Sequence, residues 1–431
     1  MSMRRDPARK CTWSSAERAA AVALVVLTLA VRVVAVGLWI GWETPVTEEP
    51  ASDGRIYATL AQSLAAGEGF RIQGVPTTSA PPLYPAFLAG VSQIAGSSPA
   101  VVRAVQVTMS GATTLAVLWA LRSVFGHVVA WAAALAWSLN PVTVYVSGLT
   151  LTESLFSLLL AFWLVVGLAP TGRARLARAW GAGLVTGLAA LTRAFFLGIA
   201  PFLAFWFAAR AGGREAKAVA VLGLFGLAVA VGPWTLRNYL VTGEFIPIQG
   251  NTGLMIWAGN NPYALGGMVM PSSATWREGA PPDGYDYGWQ GLTNRESNAR
   301  YLKAAWRWIR EDPGAFAINV LWKLKRLFGF ARAGVEDAPQ VPPVAVVLHV
   351  TFLLLAGFGI AWGLPRWREL LPFYVLVAYQ VVVVIIFSGG SRYLVSMAIP
   401  LAVFVGVAVE KGFALLGTLV LGRGGERVRG T

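Results

Sequence analysis

Long apolar stretches separated by short polar ones set the rhythm of this chain. Ten of them read as candidate spans: Ala19–Trp42, Ala100–Leu121, Val128–Val146, Leu151–Leu168, Trp180–Thr192, Phe195–Ala209, Ala218–Leu236, Val344–Trp362, Leu370–Phe387 and Tyr393–Leu416. Most approach the roughly 20 residues that a helix needs to cross about 30 Å of hydrocarbon. The fifth and sixth are short and are expected to form a hairpin around Arg193. The first resembles a signal peptide in its charged start, but its apolar run resumes past Arg32 without a small-residue cleavage site. The pattern predicts an all-α polytopic membrane protein, a bundle of about ten transmembrane helices.

Two polar regions are long enough to build a site. In residues 43–99, Ile56, Tyr57, Leu60 and Leu64 share one face of an amphipathic helix that Gly67-Glu68-Gly69 ends. Pro76 and the run Pro81-Pro82-Leu83-Tyr84-Pro85 follow, before an apolar stretch from Phe87 to Ile94. In residues 237–343, turn formers and aromatics (Gly259-Asn260-Asn261-Pro262, Trp276, Trp289) give way to a basic helical segment. There Phe316, Val320, Leu324 and Phe328 form a stripe while Lys323, Lys325 and Arg326 are expected on the polar side, as in a helix lying on the outer surface.

Charge then orients the chain. Its 431 residues carry a formal charge of +14, with 35 Lys and Arg. One side collects Arg4, Arg5, Arg9, Lys10 and Arg18; Arg122; Arg173, Arg175 and Arg178; Arg210, Arg214 and Lys217; Arg366 and Arg368; and Lys411, Arg423, Arg427 and Arg429. The excess of cations predicts that this side is cytoplasmic, together with tails 1–18 and 417–431. The other side holds Glu43, Glu48, Glu49, Asp53 and Glu68, as an exterior face would. Spans two to seven occupy 100–236 and spans eight to ten 344–416. The basic excess is a topology signal with some attraction to anionic lipid, and no nucleic-acid signature is present.

Several chemistries are excluded. The single cysteine, Cys11, forms no intramolecular disulfide, and His127 and His349 lie on different predicted spans. Neither a Cys/His zinc site nor a Ser-His-Asp triad can be assembled, and no phosphate-cradling loop of the nucleotide-driven pumps occurs. Gly181-Ala182-Gly183 with Gly187 lies inside an apolar span, where close helix packing explains it.

Asp53 and Glu153 are the prime candidates for chemistry. Each sits at the mouth of an apolar segment, and span counting puts both on the exterior face. Each also has a structural reading: Asp53 as a helix cap after Ser52, and Glu153 as the last member of a Thr150-x-x-Glu153 capping box. Arg392, between Gly389-Gly390-Ser391 and a helix start, suits either a phosphate contact or an interface anchor. Arg193 and Arg103 are weaker candidates for the same phosphate, and Arg55, close to Asp53 on the same helix, suits a contact with either the Asp53 carboxylate or the donor phosphate. Arg32 lies mid-span and is expected to face a partner within the bundle. Trp257, Trp276 and Trp289 read equally as interface anchors or substrate platforms.

The order of motifs carries a further signal. Asp-Gly-x-x-Tyr at Asp53, Gly-x-Gly-Phe at Gly67, Pro-Pro-Leu-Tyr-Pro at Pro81, Leu-Thr-Glu at Leu151, Leu-Thr-Arg at Leu191, Pro233-Trp234-Thr235-Leu236-Arg237-Asn238-Tyr239, Gly259-Asn260-Asn261-Pro262 and Ser391-Arg392-Tyr393 occur in sequence. Together they resemble the family 39 glycosyltransferases of the GT-C class, relatives of protein O-mannosyltransferases and of the lipid A aminoarabinose transferase. The resemblance implies a GT-C-type fold and a polyprenyl-phosphate sugar donor. The sugar would pass, with inversion, to an acceptor hydroxyl on a glycan, lipid or protein at the exterior face. It implies Asp53 and Glu153 as catalytic carboxylates, Arg392, Arg55, Arg193 and Arg103 around the donor phosphate, and Tyr57, Tyr84, Asn260 and Tyr393 lining the substrate. Members often carry His or Lys before the Pro-Pro pair, where this chain has Ala80. Mg²⁺ or Mn²⁺ on the two carboxylates is an open expectation, with no further ligand evident. A lipid-sugar flippase or other secondary transporter is the alternative, and a non-catalytic scaffold a third. A transporter would more typically show inverted repeats and ionisable groups at the midplane.

Overall fold

The computed structural model describes residues 13–49, 53–168, 174–268, 294–329 and 342–426. Cys11, Trp276 and Trp289, with the turn-rich stretch around Pro281, lie outside them. Each expected span coincides with helix. The elements up to residue 146 are α1 (Ser15–Trp39), α2 (Asp53–Ala65), α3 (Leu83–Ala95), α4 (Pro99–Phe125), α5 (His127–Leu139) and α6 (Pro141–Val146). Then come α7 (Glu153–Gly167), α8 (Arg175–Thr192), α9 (Ala200–Ala211), α10 (Glu215–Thr242) and α11 (Thr252–Ala258). The chain continues with α12 (Asn294–Glu311), α13 (Pro313–Phe328), α14 (Pro343–Gly363), α15 (Trp367–Ile386) and α16 (Val395–Glu426).

Among the described residues six stretches are long and apolar enough to cross a membrane, and the longest, Pro343–Ile386, contains both α14 and α15. α5, α7 and α8 are shorter, at 13, 15 and 18 residues. The chain is a multi-pass membrane protein built almost wholly of helix. α16 is its axis: 83% of its apolar window is buried, against 17% for α10. Val221, Leu224, Phe225, Val229 and Leu236 of α10 stay exposed within the protein, the surface that lipid covers.

Local chemistry sets the breaks. Pro141 lacks an N–H and ends α5, so the third expected span divides in two; the Asn140 side chain caps α6 by accepting from Val142 N and Thr143 N at 3.0 and 3.2 Å. Ser14 and Glu17 form a reciprocal capping box at α1. Close helix crossing is confirmed where α8 meets α10: a Cβ at Gly183 or Gly226 would strike the carbonyl of Gly223 or Trp180. After α2, a small hairpin pairs Arg71–Ile72 with Val75–Pro76. Its turn residues Gln73 and Gly74 both have positive φ, 51° and 77°, the twist that a two-residue hairpin favours. The sequence reading did not anticipate this hairpin.

Among the described residues Arg32 has no carboxylate partner. It is fully buried beneath α5, donating to the Ser138 carbonyl at 2.9 Å and the Thr143 hydroxyl at 3.3 Å, with its guanidinium 4.8 Å from the Trp137 ring. Hydrogen bonds and a π-face replace the expected ion pair. Trp257 is likewise no interface anchor: it is buried and packs against Tyr301, with ring centres 5.6 Å apart.

Candidate active site

Asp53 is the first residue of α2, where the helix start favours a negative charge. Its Oδ2 lies 2.5 Å from Nη2 of Arg392, and both side chains are partly exposed, at 35% and 24%. Arg392 stands in a 3₁₀ turn, Ser391–Leu394, that feeds α16. Glu153 begins α7, and Arg193 occupies the junction between α8 and the following 3₁₀ turn. Arg193 Nη1 reaches Glu153 Oε1 at 2.7 Å and the Thr152 hydroxyl at 3.2 Å, and Thr152 donates to Glu153 Oε2 at 3.1 Å. This second pair is almost wholly buried.

The two pairs form one cluster. The Tyr393 ring lies between its cations, 5.2 Å from the Arg392 guanidinium and 5.6 Å from that of Arg193. The charge of Arg392 holds the Asp53 carboxyl below its usual range against the opposing effect of burial, and Arg193 adds to the lowering. Burial pushes the Tyr57 phenol upward and nearby Asp53 adds to this, with Arg392, Glu153 and Arg193 also acting on it. Tyr57 is therefore a neutral hydrogen-bonding group at neutral pH, beside two anions and two cations.

The remaining candidates fall elsewhere. Tyr84 is fully buried behind Tyr57, in edge contact with ring centres 5.3 Å apart, and donates to Gln106 Oε1 at 2.8 Å. It supports Tyr57 from behind rather than lining a substrate. Arg55 is exposed, with no hydrogen bond or ion pair of its side chain among the described residues; Arg392 takes the place beside Asp53 expected of it. Arg103 is wholly buried. Its Nη2 meets Glu49 at 2.8 Å, and its other donors reach the carbonyls of Gly148, Trp42 and Thr44. Glu49 in turn accepts from the Thr150 amide and hydroxyl, both at 2.8 Å. That engagement takes Thr150 away from the expected capping box, and the α7 cap makes no side-chain hydrogen bond. Arg103 thus ties the first loop to the approach to α7 instead of reaching a phosphate. Ala80 is buried among Leu60 and Phe70 and offers no polar group.

Asn260 is also a strut. It donates to the carbonyls of Ile256 and Ile386 at 2.6 and 2.7 Å, and accepts from Lys323 Nζ at 2.8 Å. Lys323 was expected on a polar outer face; it is fully buried and also donates to the Ile385 carbonyl at 2.7 Å. Helix α13 packs through Asn319, Lys323 and Leu327 and leaves Ile318, Leu321 and Trp322 exposed. Its apolar side faces outward because the inner side must satisfy the carbonyls at the end of α15. Asn319 donates to the Gly259 carbonyl at 2.9 Å and accepts from Gly266 N at 2.6 Å. Gly389 N donates to the Gly266 carbonyl at 2.8 Å. A Cβ at Gly259 or Gly389 would strike backbone, so both glycines are needed for this close approach. Lys323 and Asn319 thereby hold the segment that delivers Arg392. No apolar periodicity signals such a role.

The carboxylates do not fit a divalent ion as arranged. Each is engaged by a guanidinium, and among the described residues no three His, Cys, Asp or Glu side chains converge. A cation between them would face two arginines.

The fold is an all-helical membrane bundle of the GT-C type, and its polar site lies at the mouths of the helices. Residues 79–235 match the family described as dolichyl-phosphate-mannose-protein mannosyltransferase, which bears out the resemblance carried by the motifs. Among solved structures, the chain is similar to the oligosaccharyltransferase of Archaeoglobus fulgidus tethered with an acceptor peptide: 14% identity, TM-score 0.56, covering 94% of this chain and 51% of that one. The archaeal oligosaccharyltransferase AglB from Archaeoglobus fulgidus, in complex with an inhibitory peptide and a dolichol-phosphate, gives 16% identity, TM-score 0.55, and 97% and 53% coverage. ArnT from Cupriavidus metallidurans bound to undecaprenyl phosphate gives 14% identity, TM-score 0.45, and 91% and 77% coverage. The chain spans about half the length of the oligosaccharyltransferase. No curated protein sequence matches it.

Proposed function

We propose that this chain is an inverting glycosyltransferase, moving a sugar from a polyprenyl-phosphate donor to an acceptor hydroxyl at the exterior face of the membrane. The observation that carries the reading is the Asp53–Arg392 pair at 2.5 Å, partly exposed and adjoining Glu153–Arg193. A carboxylate that takes a proton and a guanidinium that takes a phosphate are the two groups this transfer needs, and here they begin in contact. The dolichol-phosphate and the acceptor peptide in the structurally similar oligosaccharyltransferase support the same reading.

In the proposed reaction the acceptor hydroxyl gives its proton to Asp53. Its oxygen bonds to the anomeric carbon as the bond from that carbon to the phosphate oxygen breaks. The phosphate departs with the electron pair, and Arg392, with Arg193 behind it, offsets the added negative charge. One in-line displacement inverts the sugar carbon. While Arg392 rests on Asp53 it weakens that base. A donor phosphate that recruits Arg392 strengthens it, so the base is active when donor is in place.

The test supplies the purified protein with a polyprenyl-phosphoryl hexose, with and without acceptor, and follows free polyprenyl phosphate by mass spectrometry of the lipids. Release that depends on the protein supports the reading. Intact donor, whether bound or moved between leaflets, would instead favour the transporter. Labelling that found Asp53 and Arg175 on the same side of the membrane would overturn the exterior assignment.

A further inference from the structure

Helix α13 (Pro313–Phe328) is amphipathic in the reverse of the sense that water selects. Its inner side is polar: Asn319 and Lys323 are buried, and Lys323 is wholly excluded from solvent. Its outer side is apolar: Ile318, Leu321 and Trp322 fall at positions i, i+3 and i+4, and Leu321 is 66% exposed. Lys325, about one turn further on, is exposed on the same side and holds its Nζ 4.5 Å from the Trp322 ring. Scattered apolar residues on a surface need no explanation, but a continuous helix face does.

The position of α13 indicates what covers that face. The helix packs against α15 and against the 3₁₀ turn Ser391–Leu394. Lys323 donates to the Ile385 carbonyl, in the last turn of α15. α15 belongs to the apolar stretch Pro343–Ile386, long enough to cross a membrane, so α13 lies at the mouth of a span. At that mouth Val382 and Ile386 of α15 are themselves exposed and apolar. Gly266 packs against the Trp322 backbone, and its neighbour Leu265 is exposed as well. The outer face of α13 therefore continues the apolar surface of the adjoining span. An ammonium beside an indole suits the level of lipid phosphates, where stem and ring rest among acyl chains while the charge reaches the headgroups.

We propose that the outer face of α13 docks on the lipid leaflet nearest Asp53 and Arg392, with Ile318, Leu321 and Trp322 at the acyl boundary and Lys325 at the phosphates. The same helix carries Lys323 and Asn319, which hold the segment leading to Arg392. The leaflet thereby fixes Arg392 at the level of lipid phosphate groups. This docking stands on the lipid-facing geometry and holds whether or not the chain transfers sugar.

The test uses the full chain in nanodiscs of phosphatidylcholine and phosphatidylglycerol, with Cys11→Ser removing its single cysteine so that one spin label is placed at a time. Leu321→Cys and Ile318→Cys report the outer face of α13, Phe225→Cys reports the exposed apolar side of α10, and Glu68→Cys reports water. Power saturation compares collisions with oxygen, which concentrates in lipid, and with a nickel chelate, which stays in water. Both α13 labels are expected to show an oxygen-to-nickel ratio several times that at Glu68, at a depth of about 5–10 Å inside the headgroup boundary and shallower than Phe225. A ratio equal to that at Glu68 would put the face in water and overturn the proposal. Few collisions with either reagent would mean that protein covers the face, a second copy or residues 269–293 of the same chain, and would overturn it equally. A depth matching Phe225 would sink α13 below the phosphates and overturn the level assigned to Arg392.

Discussion

Asp53 and Arg392 stand 339 residues apart in the chain and 2.5 Å apart in space. The first opens α2 beside the first span and the second precedes the last, so the contact exists only when the whole bundle has closed. Asp53→Asn tests its chemistry with little change of shape. Asn is as good a helix cap as Asp but cannot take a proton. The variant is expected to fold and bind donor lipid while losing roughly 10²–10⁴-fold in transfer rate. Near-normal turnover by a well-folded Asn variant would remove Asp53 from the reaction.

The pair also predicts a pH profile. Arg392 holds the Asp53 pKa below its ordinary value, so Asp53 is already ionised throughout the neutral range. The stabilisation from the pair is present above the unfolded pKa and is lost as pH falls through the lower folded one. In Arg392→Ala the carboxyl moves up, and the acid limb of kcat/KM is expected at higher pH than in wild type. Arg392→Lys keeps the charge but loses the two-pronged contact with phosphate, and is expected to shift the limb less while still raising donor KM. An acid limb that stayed fixed in both variants would separate Arg392 from Asp53.

Much of the bundle was legible because apolar length reports membrane-crossing helices directly. The carboxylates at helix mouths and the Arg193 hairpin were legible for the same reason. What failed was partner choice. Thr150 and Glu153 match a capping box in sequence, yet Glu49, about a hundred residues earlier, takes both donors of Thr150. Arg103 resembled a phosphate ligand because sequence cannot reveal that backbone carbonyls of the first loop fold onto it. Lys323 was placed on the outer face because periodicity assumes an apolar core, whereas α13 packs against unsatisfied carbonyls.

The Glu49–Arg103 pair can be tested as structure rather than chemistry. Both side chains are wholly excluded from solvent. Arg103→Met leaves Glu49 buried without its cation, an arrangement expected to cost about 3–5 kcal/mol in detergent unfolding. Glu49→Leu combined with Arg103→Met is expected to recover much of that loss. Donor affinity per folded molecule should remain near wild type. A stable Arg103→Met protein with weakened donor binding would return Arg103 to the phosphate site.

Lys323 gives the last test, because its amine is both a strut and a titrating group. Burial lowers its pKa from 10.5 to about 7, so between those values the folded chain holds fewer protons than the unfolded one. Stability from this group therefore rises with pH across that window, and the neutral amine still has hydrogens for Asn260 and the Ile385 carbonyl. Lys323→Met fills similar space but leaves both acceptors without a donor, a penalty of about 1–3 kcal/mol. It also loosens the segment that carries Arg392, so donor KM is expected to rise more than kcat falls. In paired unfolding measurements the advantage of wild type over Lys323→Met should widen from pH 7 to pH 9. If that difference stays constant with pH while donor KM is unchanged, Lys323 is neither desolvated nor positioning Arg392.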